Sequence, residues 1–173
     1  MSKAIENLTK AMEQAARIRP KVGGFPYLAE FLRRAGVHRN IWSLPGCQSL
    51  LLTDHGPVVM QNAPLISGMA DVPSFDREAL IAALRIDQAG ESTFPEFLAA
   101  SWRAGVVRYD VDFAARTVAY LGCEGEEYIE AYSAVEIDYA VCGDSVGARG
   151  VCQTSFSMTE SSPLHLPKSQ FSA

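Results

Sequence analysis

The sequence predicts an α+β fold: a tandem pseudo-repeat of helix, helix and three strands, with antiparallel sheet or sheets covered by helices. Three observations carry that expectation. First, the chain from Phe25 aligns without a gap on the chain from Phe94, sharing Phe25/Phe94, Pro26/Pro95, Arg34/Arg103, Ala35/Ala104, Gly36/Gly105, Val37/Val106, Arg39/Arg108 and Gly56/Gly125. Second, the stretch after Gly105 alternates, with Val107, Tyr109, Val111 and Phe113 facing one way and Arg108, Asp110 and Asp112 the other. That period belongs to a sheet with one packed and one wet face. Third, each set of strands follows two stretches with apolar residues at helical spacing, punctuated by Pro and Gly.

Taken in order, Ile5, Leu8, Met12, Ala15 and Ala16 predict a first helix over about Ala4 to Ile18, ended by Pro20 and Gly23-Gly24. Pro26 suits the first turn of a second helix, where its missing N–H costs nothing. Leu28, Phe31, Leu32 and Ala35 form the apolar side, and Gly36 closes the helix as a left-handed cap. Strands follow at Val37 to Leu44, Gln48 to Thr53 and Pro57 to Gln61, separated by Pro45-Gly46 and by an Asp54-His55-Gly56 turn. Asn62 to Pro73 reads as a connector. In the second copy Ser74 is placed to cap a helix carrying Leu80, Ile81 and Leu84, with Asp76 and Glu78 near its positive end and Gly90 after it. Thr93-x-x-Glu96 has the form of a capping box, opening a helix with Phe97, Leu98 and Trp102 on one side. The repeats span about 4–61 and 74–132 within one domain, 1–137. A three-stranded half alone is marginal, so the halves are expected to depend on each other, in one sheet or two. Residues 138–173 lose periodicity and read as a tail, expected to be disordered from about Gly143 onward, with room for a short extra strand around Ile137 to Val141.

Composition is ordinary for a soluble globular chain, 48% hydrophobic and 20% charged. A net charge of −5 argues against a phosphate-binding surface, so no nucleic-acid partner is expected. Nothing is apolar for long enough to span a membrane, and the N-terminus lacks the features of a secretion signal. The expected location is the cytoplasm. Four dispersed cysteines without C-x-x-C spacing read as free thiols, with Cys47 and Cys123 as buried small hydrophobes.

The strings GGFPYLAEFLRRAGVHRNIWSLP and DQAGESTFPEFLAASWRAGVVRYDVDFAARTVAYLG resemble a small bacterial family, domain-of-unknown-function family 1398, whose members are often labelled phage envelope proteins. The resemblance covers roughly residues 10–136. It implies a compact cytoplasmic protein of bacterial chromosomes and prophages, and it carries over no catalytic residue.

Candidate chemistry gathers on the wet strand face. Arg108, Asp110, Asp112 and, across a turn, Arg116 offer two carboxylates at i and i+2, about 7 Å apart by strand geometry. Such a pair can do acid–base work, or hold a cation with Glu124, Glu126 or Glu130. The plainer reading, which the sequence favours, is a solvated face laced with weak Arg–Asp salt bridges. Arg39 and Arg108 recur at one strand position, a pattern that suits either an anion site or a structural pairing within each half. His38, His55 and His165 form no metal-binding spacing, and no Walker loop, G-x-G-x-x-G or G-x-S-x-G appears. No metal and no cofactor is expected. Two functional readings remain. The favoured one is a non-enzymatic module that binds a protein partner or itself, through sheet edges that invite pairing. The other is a small-ligand binder or enzyme whose site lies between the repeats, where Arg39 and Arg108 converge with Asp110 and Asp112.

Overall fold

In the computed structural model the described residues are 1–137; the tail expected to be disordered and the strand expected over 137–141 lie, beyond Ile137, outside them. Residues Met1–Glu136 form one unit. Its elements are α1 (Lys3–Ile18), α2 (Phe25–Arg34), β1 (Val37–Ser43), β2 (Gln48–Thr53), β3 (Val58–Gln61), α3 (Arg77–Gln88), α4 (Phe94–Arg103), β4 (Arg108–Asp112), β5 (Thr117–Leu121) and β6 (Glu127–Ala131). Helix, helix and three strands therefore occur twice in the same order. The last strand of the first half starts at Val58 because Pro57 has no N–H to give to a ladder.

The six strands make one antiparallel sheet in the order β3-β2-β1-β4-β5-β6. The halves meet at β1 and β4, where Arg39 faces Asp112, Ile41 faces Asp110 and Ser43 faces Arg108. Ile41 and Asp110 are equivalent positions of the two repeats and also direct partners. A pseudo-two-fold axis thus passes between them and relates the halves. The equivalence holds in β1, β2, β4 and β5 and slips by one residue in the outer strands: Gln48 pairs with Gln61, but its counterpart Thr117 pairs with Ala131. One extra residue in the β5–β6 turn accounts for the slip.

The helices gather on one face: α2 touches β1, Phe94 of α4 meets Trp42, and Arg77 and Arg85 of α3 meet Tyr128 and Glu130. α1 packs on α2 and α3 on α4, through Leu8, Ala11 and Ala15 in α1 and Phe97, Leu98 and Trp102 in α4. Beneath them lie Val37, Leu51 and Val111 of the strands and Phe113 just past β4, each at most 1% exposed. Each such side chain contributes roughly 1.5–3 kcal/mol through burial. An aromatic ladder crosses this covered face. Trp42 stacks on Tyr109 at 5.8 Å, Tyr109 meets Tyr120 at 5.9 Å and Tyr120 meets Tyr128 at 6.4 Å. Phe94 closes on Trp42 edge-on, and Arg77 of α3 lies 5.2 Å over Tyr128. Burial pushes the Tyr109 and Tyr120 phenols above the usual range, so both stay neutral.

Two local expectations are corrected. Asp76, not Ser74, caps α3: its carboxylate accepts from the Ala79 N–H at 2.9 Å, while Asp76 N–H donates to the Ala104 carbonyl at 2.9 Å. Cys47 is buried, but Cys123 is exposed in the β5–β6 turn. Elsewhere the turn signals hold. Glu96 accepts from the Thr93 N–H and hydroxyl, both at 2.7 Å, at the start of α4. Gly36 and Gly105 end α2 and α4 with φ of +84° and +78°.

Candidate functional site

With the helices on one face, no helix of the described residues covers the other face of the sheet, and the strand register fixes what that face displays. One row of side chains crosses all six strands: Val59, Leu50, Ile41, Asp110, Ala119 and Ile129. Five of the six are apolar, which is the reverse of what a wet face requires. Val59 and Ile129, at the ends of the row, are 59% and 55% exposed, and the four between them are only half-buried. On one side of this row stand Leu52, Arg39, Asp112, Thr117 and Ala131; on the other, Gln48, Ser43, Arg108, Leu121 and Glu127.

The charged candidates sit in this frame. Arg108 grips Asp110 on its own strand, Nε to Oδ1 at 3.0 Å and Nη2 to Oδ2 at 3.2 Å. Asp112 is spent on the β4–β5 turn, where Oδ1 accepts from the Ala114 N–H at 3.0 Å and the Ala115 N–H at 2.8 Å. Arg116 lies in the same turn with φ of 56°, and its first-repeat equivalent Cys47 also has a positive φ, 45°. A left-handed residue is what both turns require, so the position of Arg116 follows from turn geometry. The Arg39 side chain is exposed and makes no ion pair or hydrogen bond among the described residues.

The structure brings Arg39 beside Asp112 and Arg108 beside Asp110, but it does not bring the two arginines together. The pseudo-two-fold sends them to opposite ends of the β1–β4 ladder, four residues apart along the strand direction, which is roughly 13 Å. Nor do the acidic helpers join the aspartates. Glu130 belongs to the covered face and pairs with Arg85 of α3 at 2.5 Å, while Glu126 accepts from the Glu124 N–H in its own turn. A carboxylate held by a guanidinium and another occupied by turn amides are poorly placed to take protons from a substrate.

One charged cluster was missed by the sequence reading. Glu30 of α2 is 7% exposed and is held by Arg33 at 2.9 Å and by Arg34 at 2.7 Å. The Arg33 guanidinium foremost, with Arg34 beside it and burial opposing, holds the Glu30 carboxyl at about 2, well below its usual range. The spacing of Glu30 to Arg33 and Arg34, one helical turn, was the available signal. The concavity of about 310 Å³ between α3 and α4, lined by Ile86, Glu91, Glu96, Phe97 and Arg103 among others, contains none of the candidate residues. No helix of the described residues is long and apolar enough to cross a membrane.

Among the described residues, fold and surface define a duplicated α+β protein whose six-stranded sheet has one face covered by helices and one half-apolar face that none of them covers. Over 136 residues the chain is 57% identical to an uncharacterized protein of Mycobacterium bovis and to uncharacterized proteins of Mycobacterium tuberculosis, covering 79% of this chain and 83% of each relative. The chain belongs to the family of these mycobacterial proteins. No protein-family model matches it.

Proposed function

We propose that this is a non-enzymatic interaction or self-association module of the bacterial cytoplasm whose working surface is the open face of the sheet. The observation that carries the reading is the apolar row across all six strands on a face that no helix of the described residues covers. A solvated face with Arg–Asp pairs alone would not place Val59, Leu50, Ile41, Ala119 and Ile129 in line; contiguous exposed apolar surface marks interaction sites. The sheet edges serve the purpose less well than the sequence suggested. β3 has four residues and β6 carries Glu127 and Glu130, so both outer strands are short or charged. The resemblance to the family labelled phage envelope proteins belongs to this proposal too, as a chromosomal or prophage setting without a catalytic residue.

Native mass spectrometry tests the reading against a ligand-binding site at Arg39, Arg108, Asp110, Asp112 and Arg116. The interaction reading expects no stoichiometric small-molecule or metal mass on the purified protein. A retained small molecule that disappears in Arg108→Ala at an unchanged melting temperature would overturn it in favour of a site between the repeats.

A further inference from the structure

We infer that the open face docks a second copy of this chain, with a two-fold axis parallel to the strands between β1 and β4. The inference rests on the interaction reading above and names its partner.

Two sheets packed face to face lie about 10 Å apart, close enough for each exposed side chain to meet one from the other sheet. A two-fold axis along the strands lays β1 over the partner's β4, and the apolar row over itself in reverse. Large then meets small: Leu50 lies over the partner's Ala119, and Val59 and Ile129, the two most exposed members, cover each other across the interface. The charges also match. Arg39, which has no ion-pair partner among the described residues, lies over the partner's Asp112, whose second carboxylate oxygen is not used by the turn. This contact forms twice. Asp110 faces the partner's Ile41 and keeps the ion pair to its own Arg108, so its charge is not buried without a counter-charge.

The other in-face axis, running along the row, matches charge less well. It stacks Asp110 on the partner's Asp110 and sets Arg39 over Ser43, and the one opposite-charge contact it makes, Arg108 over the partner's Asp112, draws on a guanidinium already paired with Asp110. Like charges brought face to face oppose association, so the strand-parallel axis is the one the surface selects.

The area sets the strength. Six strands about 4.8 Å apart and about five residues long, at about 3.3 Å each, give a face on the order of 500 Å² per copy. Both copies together reach only the low end of specific interfaces, so the dimer dissociates on dilution.

The test is sedimentation equilibrium on the full chain over a wide concentration range. Wild type shows a monomer–dimer equilibrium. Arg39→Glu and Asp112→Lys each weaken it about tenfold or more by setting like charges face to face. An equimolar mixture of the two variants recovers wild-type association within a few-fold, because every altered charge then faces its opposite. Asp112→Lys also removes a turn acceptor, so Asp112→Asn, which keeps the acceptor and drops the charge, serves as a second variant with a smaller loss. A mixture no tighter than either variant alone overturns the inference. So does a wild type that stays monomeric; if Ile41→Arg nevertheless abolishes binding to some other protein, the interaction reading survives without the second copy. A dimer that Ile41→Arg leaves intact overturns both.

Discussion

Gly36 and Gly105 occupy equivalent positions with the same left-handed backbone, yet their surroundings differ. A Cβ on Gly105 would lie 2.5 Å from the Ser74 carbonyl oxygen and 2.6 Å from the Phe75 Cα, both backbone atoms fixed by the start of α3. At Gly36 the obstruction is the Asp54 carboxylate, the end of an exposed side chain that can turn away by giving up its contact with His38. Both alanine variants are strained by about 1–3 kcal/mol through the backbone alone. Gly105→Ala is expected to lower the melting temperature clearly more than Gly36→Ala, a comparison that calorimetry reads directly. Glu30 makes the second residue-scale prediction. Its carboxyl titrates at about 2 in the folded chain against an ordinary 4.5, so its ion pairs stabilise fully above the ordinary value and are lost as pH falls through the folded one. The melting-temperature gap between wild type and Glu30→Gln should therefore shrink as pH drops from 5 towards 2. A constant gap would mean that the pairs contribute nothing. Both glycines were legible in the sequence as helix terminators, because a left-handed cap is a local demand. The Glu30 burial was not, because it depends on how α2 lies against the sheet.

At the scale of elements, local chemistry decided most boundaries. α2 and α4 begin and end at equivalent residues, each with Pro in its first turn and Gly two residues past its end. Ser74 and Asp76 separate a plausible cap from the one in use. Asp76→Ala should cost about 1 kcal/mol, or roughly 2–4 °C in melting temperature, through loss of the bond to the Ala79 N–H. Ser74→Ala should leave the melting temperature unchanged; equal losses in the two variants would return the cap to Ser74. The sequence misplaced the cap because Ser, Asp and Thr are all good caps, and the choice depends on where the chain leaves Gly105. The slip in β6 has a similar origin. A gapless alignment that matches Gly56 with Gly125 cannot register an extra residue in a turn, whereas the ladder between β5 and β6 does so at once.

For the whole molecule, duplication explains both the architecture and the open surface. Pairing β1 with β4 about a pseudo-two-fold converts two marginal three-stranded halves into one six-stranded sheet, a choice between one sheet and two that the residues left open. The alternation in β4 was legible because Tyr109, Val111 and Phe113 differ so plainly from Arg108, Asp110 and Asp112. The apolar row was not. Its members come from six strands separated in sequence, and each looks ordinary until the register puts Ile41 between Leu50 and Asp110. The charged candidates were visible as residue types, but their separation along the ladder was not, because it follows from the axis that relates the repeats.

The proposed association runs through the uncovered face of the sheet, and Ile41 lies at the centre of that face. Ile41→Arg alters a half-buried side chain outside the helix-covered core, beside a carboxylate that tolerates a cation. Sedimentation of wild type and Ile41→Arg over one concentration series is the most direct measurement. The average mass of wild type is expected to rise with concentration, while the variant stays at the monomer mass with a nearly unchanged melting temperature. Two proteins that associate alike would contradict it.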